Sequence, residues 1–260
     1  MSRKLPLTVT MTARNAAAVL PLSLGSVADL ASQIVVVVND CSDDTVAVAR
    51  SYGAEIHERP FENLRDQKGK ALRLATQPWT LHLDADEALS PEARAELIAF
   101  FDAMEGGNPA PADGVWFPRR LRFLGRWMRH GDAYPDRVLR LFRTGKGKEA
   151  GAAEHDRFEV EGKTIRFRHD LLHHSNDSIE RQIGKINFFS TAFLVRRQAA
   201  GRGFSVVEAV FRAAWRFFRA YFLRLGFLDG FPGLYLASFS AFSTFVRYAR
   251  IYEAELKEHS

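Results

Sequence analysis

Residues 34–38, Ile-Val-Val-Val-Val, form an unbroken aliphatic run that stops at Asn39-Asp40-Cys41-Ser42-Asp43-Asp44. Five β-branched residues in a row suit a strand buried on both faces, and such strands belong to parallel sheets with helices on either side. The flanking sequence repeats the alternation. Residues 7–12, 54–58 and 79–83 read as further strands, and residues 16–24, 44–52 and 70–75 as the helices between them. Strand and helix in alternation predict an α/β fold with a Rossmann-like, mostly parallel sheet flanked by helices.

Ligands of open α/β sheets bind beyond the carboxyl ends of the strands. Three of those ends are polar here: Thr12-Ala13-Arg14-Asn15, Asn39 to Asp44, and Asp84-Ala85-Asp86-Glu87. The third follows an apolar strand and places three carboxylates in four residues, a costly site for negative charge without a cation beside it. If the chain stays extended through Asp84 and Asp86, both side chains point the same way and face one hard divalent cation, Mg2+ or Mn2+, able to carry phosphate. The other reading is a polar turn before a helix opened by Ser90 as N-cap and Pro91 at N1. In the second loop Asn39 and Asp40 offer acceptors to a base or ribose, whereas Ser42 and Asp43 suit helix capping.

With 260 residues and 47% apolar content, the chain can bury one large core or a domain with an appendage. Its lone cysteine, Cys41, excludes an intramolecular disulfide and fits a reducing compartment. The first residues lead straight into an apolar strand and lack the long apolar stretch of a signal peptide, so a cytoplasmic location is expected.

The net charge of +5 is unevenly placed. Between Arg181 and Arg224 there are nine Lys or Arg residues against one acid, Glu208, interleaved with phenylalanines. Phe211, Trp215, Phe218 and Phe222 recur at helical spacing with Arg212, Arg216 and Arg219 on an adjacent face. Such a helix either lies on an anionic membrane surface or packs its aromatic stripe on the α/β domain. Residues 230–246 carry no charge, but Gly230, Pro232 and Gly233 favour an interfacial or buried helical hairpin over a membrane span.

In order along the chain, Thr12-Ala13-Arg14-Asn15, Asn39-Asp40-Cys41-Ser42-Asp43-Asp44, Gln67-Lys68-Gly69-Lys70-Ala71 and Leu83-Asp84-Ala85-Asp86-Glu87 together resemble family 2 glycosyltransferases with the GT-A fold. Further segments narrow the resemblance to the bacterial lipopolysaccharide core β-1,4-glucosyltransferase subgroup: Pro118-Arg119-Arg120, Phe123-Leu124-Gly125-Arg126-Trp127, Tyr134-Pro135-Asp136-Arg137, Leu172-His173 and Gly226-Phe227-Leu228-Asp229-Gly230. The resemblance implies inverting transfer of a hexose, in this subgroup glucose, from a UDP-sugar to a lipopolysaccharide-core or related glycolipid acceptor. It implies nucleotide-sugar contacts at Thr12, Ala13, Arg14, Asn39, Asp40, Lys68, Asp84 and Ala85, with a divalent metal at Asp84 and Asp86 and a contribution from His173. Lys68 reads either as a phosphate contact or as a solvated lysine at a helix start.

Two departures from the family pattern stand out. Asn39 replaces the first acid of the second loop, and Ala16 replaces a carboxylate in the first. An inverting transferase also needs a general base for the acceptor hydroxyl. Asp156, preceded by His155 and followed by an expected hairpin around Glu161-Gly162, is the first candidate, and Asp136 the second. Trp127 and His130 are candidates for the acceptor cleft.

Other classes fit less of the chain. A nucleic-acid-binding protein would use the basic, aromatic region, but the carboxylates at the strand ends would repel its phosphates, so no nucleic acid is expected. A glycoside hydrolase uses paired carboxylates without a nucleotide pocket. A non-catalytic scaffold that keeps the GT-A fold and docks on membranes remains the alternative. The expected organisation is a GT-A catalytic domain over residues 1–175 and a basic helical extension over 176–260, peripheral to the inner membrane on its cytoplasmic side.

Overall fold

The computed structural model describes residues 4–151, 157–175 and 178–258. Two compact units make up the chain: Met1–Arg120 with Arg137–His174, and Leu121–Asp136 with Ser175–Ser260.

The first unit opens with β1 (Leu5–Ala13), α1 (Leu20–Gly25), β2 (Ala31–Val38), α2 (Thr45–Ser51), β3 (Glu55–Glu58), α3 (Leu64–Arg73) and β4 (Trp79–Asp84). It continues through β5 (Glu87–Leu89), α4 (Pro91–Asp102) and β6 (Gly114–Phe123). β7 (Arg126–Trp127) belongs to the second unit, and the chain then runs through β8 (Asp136–Arg143), β9 (Gly147–Ala150), β10 (Arg157–Val160), β11 (Thr164–Arg166) and β12 (Leu171–His173). The main sheet has the order β3-β2-β1-β4-β8-β6-β12-β5. β1 lies parallel between β2 and β4, β3 is parallel to β2, and β8 turns antiparallel against β4. The α/β GT-A fold and the helical C-terminal extension expected from the sequence are what the chain adopts.

The aliphatic run at residues 34–38 is buried throughout, as a strand covered on both faces requires. Val9, Met11, Leu81 and Leu83 meet Leu20, Leu24, Leu97 and Phe101 in the main core. α4 starts as expected, with the Ser90 hydroxyl accepting from the Ala93 N–H at 3.1 Å and Pro91 opening the helix.

Several boundaries differ from the sequence pattern. α1 begins at Leu20 rather than residue 16, because the Ala16 and Ala17 N–H groups are taken by Thr45 Oγ1 and Asp43 Oδ2. α3 begins at Leu64, six residues ahead of the expected helix, because Asn63 Oδ1 caps the Asp66 N–H at 2.9 Å. The expected hairpin at Glu161-Gly162 is absent: β10 pairs with β9, and β11 joins β6 in parallel.

The second unit is built from β7, paired with the end of β6, and three helices: α5 (Ile179–Ala199), α6 (Val206–Phe218) and α7 (Gly230–Glu258). α6 runs on into a π-helical turn over Arg219–Leu223. Buried Ala209, Tyr248 and Ile251 pack with Phe193, Leu194 and Phe204 where the helices meet. Residues 230–246 lie in one continuous helix, so the hairpin expectation is corrected. Pro232 falls in its first turn, where a missing N–H costs no intrahelical bond. Among the described residues no helix is long and apolar enough to cross a membrane.

Candidate active site

Parallel register brings the three polar strand ends together. Thr12 pairs with Val37 on one side and Asp84 on the other, and Ala13 pairs with Val38. Beyond these ends the backbone turns sharply through Asn15 and Asp40, whose φ values of 48° and 42° fall in the left-handed region that Asn and Asp tolerate best. Asn15 Oδ1 accepts from the Ser42 N–H at 2.8 Å, which ties the first loop to the second. Asp43 accepts from the Thr45 N–H at 3.0 Å, a local turn ahead of α2. The N-cap itself is Asp44, which makes no side-chain cap bond, and Ser42 bonds Asn15 instead, so the capping expected of Ser42 and Asp43 is corrected. Arg14 and Asp40 are exposed. Asn39 is buried, and among the described residues no acceptor reaches its Nδ2.

The third loop does not stay extended. β4 ends at Asp84, Ala85-Asp86 form a turn, and β5 resumes at Glu87. The premise that Asp84 and Asp86 share one strand face is therefore corrected, and the two carboxylates have different partners.

Asp84 sits in an ion-pair cluster. Lys68 Nζ lies 2.9 Å from Asp84 Oδ1, and Arg140 donates to Asp84 Oδ2 at 2.5 Å. The same guanidinium donates to both oxygens of Glu87, at 2.8 and 2.9 Å, and Arg119 adds a bond to Glu87 Oε1 at 2.9 Å. Glu87 is fully buried and Arg140 nearly so. Burial pushes the Asp84 carboxyl up, but the Arg140 and Lys68 charges outweigh it and hold it well below the usual carboxylate range. Glu87 is raised by burial and held down by Arg140 and Arg119 in the same way. Behind them His82, fully buried with its Nδ1 3.1 Å from Thr10 Oγ1, is pushed down by burial to about 4.

Lys68 is neither solvated nor at a helix start. It lies within α3, 6% exposed, aimed at Asp84. Nothing local in the sequence marks Glu87 or Arg140 as its companions, because the contacts join α3, β4, β5 and β8.

Asp86 faces a different neighbour. Its Oδ2 lies 3.2 Å from His173 Nε2, both side chains being half-buried. β12 pairs with β5 in the register His173↔Glu87, and the His174 N–H donates to the Asp86 carbonyl at 2.8 Å, so the ladder itself holds this pair together. Among the described residues no third His, Cys, Asp or Glu joins them as a ready ligand set. A carboxylate oxygen and an imidazole nitrogen at this separation nevertheless fit as two of the residues that would hold one divalent ion.

Of the two base candidates, Asp136 is half-buried at the start of β8. His155 and Asp156 lie outside the described residues. In the second unit, the Asp229 carboxylate is buried and accepts from the Arg129 and His130 N–H groups at 2.9 and 2.8 Å, with His130 Nδ1 at 3.1 Å. His130 is thereby fixed through the Gly226-Phe227-Leu228-Asp229-Gly230 segment. Trp127, in β7, is half-buried.

A family model described as "Glycosyl transferase family 2" matches residues 8–204. A protein of Rickettsia felis named "Uncharacterized glycosyltransferase" is 27% identical over 259 residues, covering 94% of this chain and 88% of that protein. A protein of Rhizobium meliloti named "Lipopolysaccharide core biosynthesis glycosyltransferase LpsC" is 29% identical over 263 residues, covering 97% and 94%. Among solved structures, S. aureus TarS 1-349 superposes over 98% of this chain and 92% of its own at a TM-score of 0.45 and 14% identity.

Proposed function

Because the chain belongs to glycosyl transferase family 2, we propose that it moves a hexose, glucose in the first instance, from a UDP-sugar to a lipopolysaccharide-core or related glycolipid acceptor with inversion. The observation that carries this reading is the Asp86–His173 pair placed one turn from the Asp84–Lys68–Arg140 cluster. The name of the Rhizobium meliloti relative supports the acceptor class.

Asp86 and His173 would hold a divalent cation, Mn2+ or Mg2+, which would supply positive charge to offset that developing on the diphosphate leaving group. Asp84, fixed between Lys68 and Arg140, accepts from the ribose, and Lys68 adds positive charge toward the phosphates. Thr12, Ala13, Arg14 and Ala85 line the donor beside Asn39 and Asp40. Asn39 Nδ2 donates to a carbonyl of the base. The acceptor hydroxyl oxygen attacks the anomeric carbon as the bond to the phosphate oxygen breaks. Asp156, next to His155, takes the hydroxyl proton, with Asp136 the second candidate for that role.

The protein works at the cytoplasmic face of the inner membrane. Supporting this, Phe211, Trp215, Phe218 and Phe222 are 66%, 47%, 45% and 48% exposed, so the aromatic stripe is left open on the surface of its unit. The unit of Met1–Arg120 with Arg137–His174 forms the catalytic domain, and the helices of the other unit a membrane-facing extension.

The test is calorimetric titration of UDP and UDP-glucose with and without Mn2+, using wild type and Asp86→Asn. Metal-dependent binding that the substitution removes is the expected result. No binding of either ligand under any condition would overturn the UDP-sugar reading.

A further inference from the structure

α5 turns one face, Gln182, Lys185, Ile186 and Phe189, toward a cavity of about 370 Å3 within the second unit. That volume is within the range of about 300–1,000 Å3 usual for small-molecule sites. On its other side α7 presents Gly233, Leu236, Ala237 and Ser240, again one helical face. Small residues on that face, with Gly131, Ala133 and Ala220, are what keep the space from being filled. Its wall is mainly apolar.

The charged part of the lining is mainly cationic. Lys185 and Arg216 line it, and the carboxylate that also lines it, Asp132, is already shared by Arg216 at 3.1 Å, Arg219 at 2.7 Å and Arg224 at 3.1 Å. Close by, burial first and then the Arg216 and Arg196 charges lower the affinity of Arg247 for its proton, as expected where positive charge exceeds negative. Gln182 is 8% exposed, and among the described residues no donor reaches its Oε1. A buried amide oxygen of that kind can be met by a hydroxyl from an occupant once the Gln182 side chain turns toward the cavity it lines. An apolar cleft with cationic side chains in its lining and a buried amide oxygen without a donor fits an amphiphile whose head combines negative charge with hydroxyl groups. Of the apolar surfaces that would supply one, the exposed stripe Phe211, Trp215, Phe218 and Phe222 is carried by the same helix as Arg216 and the turn that follows it.

We propose that this cavity is a lipid-binding site that takes one acyl chain and the phosphate head of an anionic phospholipid, with Lys185 and Arg216 at the phosphate and Gln182 at a head-group hydroxyl. The inference stands apart from the donor reading, and its test needs neither nucleotide nor metal.

The experiment titrates lauroyl lysophosphatidylglycerol, below its micellar concentration, into the full chain. Lauroyl lysophosphatidylcholine and glycerol phosphate serve as the chain-without-net-charge and head-without-chain comparisons. Expected is binding about ten-fold or more tighter for the phosphatidylglycerol form than for the choline form, and none for glycerol phosphate. Ser243→Phe, at a half-buried lining position, should weaken binding at least about ten-fold with the helical circular dichroism unchanged, and Lys185→Gln should narrow the preference between the two lipids. Equal affinity for both lipids would overturn the head-group assignment. Unchanged affinity in Ser243→Phe would overturn the cavity, placing the lipid on the exposed aromatic stripe, and tight binding of glycerol phosphate would reduce the site to a simple anion site.

Discussion

His173 Nε2 and Asp86 Oδ2 lie 3.2 Å apart although 87 positions separate them, because β5 and β12 pair across the end of the sheet. Neither residue is buried in the core, and neither belongs to the Asp84 cluster.

Asp86→Asn and His173→Gln should therefore fold normally, with thermal midpoints within a few degrees of wild type. Each should remove most of the Mn2+ dependence of UDP-glucose binding, by about ten-fold or more. Titration with and without Mn2+ checks this, and dependence retained in both variants would put the cation elsewhere.

Arg140→Met should behave differently. It strips the shared partner from two carboxylates, one of them fully buried, and should cost about 3–5 kcal/mol of stability. Arg140→Lys should recover only part, since one ammonium cannot present the guanidinium's fork to Asp84 and Glu87 at once. Urea denaturation at neutral pH measures both, and a loss under about 1 kcal/mol would mean that the cluster is solvated.

Buried His82 gives the protein a pH signature. Its folded pKa of about 4 lies below the ordinary 6.5, so between those values the unfolded chain binds a proton that the folded chain does not. Its stabilising contribution is whole above about pH 6.5 and falls as pH drops toward 4, by about 1.4 kcal/mol per unit in the middle of the window. Stability measured by urea at pH 6.5 and 5.5 should fall more steeply for wild type than for His82→Leu. Identical slopes would mean that His82 takes up its proton in the native state as readily as in the unfolded chain.

Trp215→Ala combined with Phe218→Ala should leave stability nearly unchanged, because both side chains are about half exposed and lie outside the buried core of their unit. Partition onto vesicles rich in anionic lipid should fall several-fold. Sedimentation with vesicles reads this directly, and unchanged partition would remove α6 from the membrane contact.

The strands were legible because their apolar runs and polar ends are local signals. Residues 34–38 and 79–83 fall inside β2 and β4, and Ser90-Pro91 opens α4 where it should. Helix starts were less so: a side-chain cap at Asn63, in a segment with little apolar periodicity, moved α3 and carried Lys68 into the interior. Glu87 read as one more acid of a surface turn. Its burial depends on Arg119 and Arg140, which arrive from strands 32 and 53 residues away, and no window around Glu87 contains that information.

The Asp229 carboxylate binds the backbone of Arg129 and His130 across about a hundred positions of chain. Residues 121–136 thus belong to a unit whose other part is the C-terminal stretch. During synthesis that early segment leaves the ribosome with its anchoring carboxylate still untranslated, and α7, which packs there, is made after that carboxylate. The second unit can close only after Asp229 and α7 have been translated, so a nascent chain halted before Asp229 carries His130 with the backbone donors of Arg129 and its own unmet.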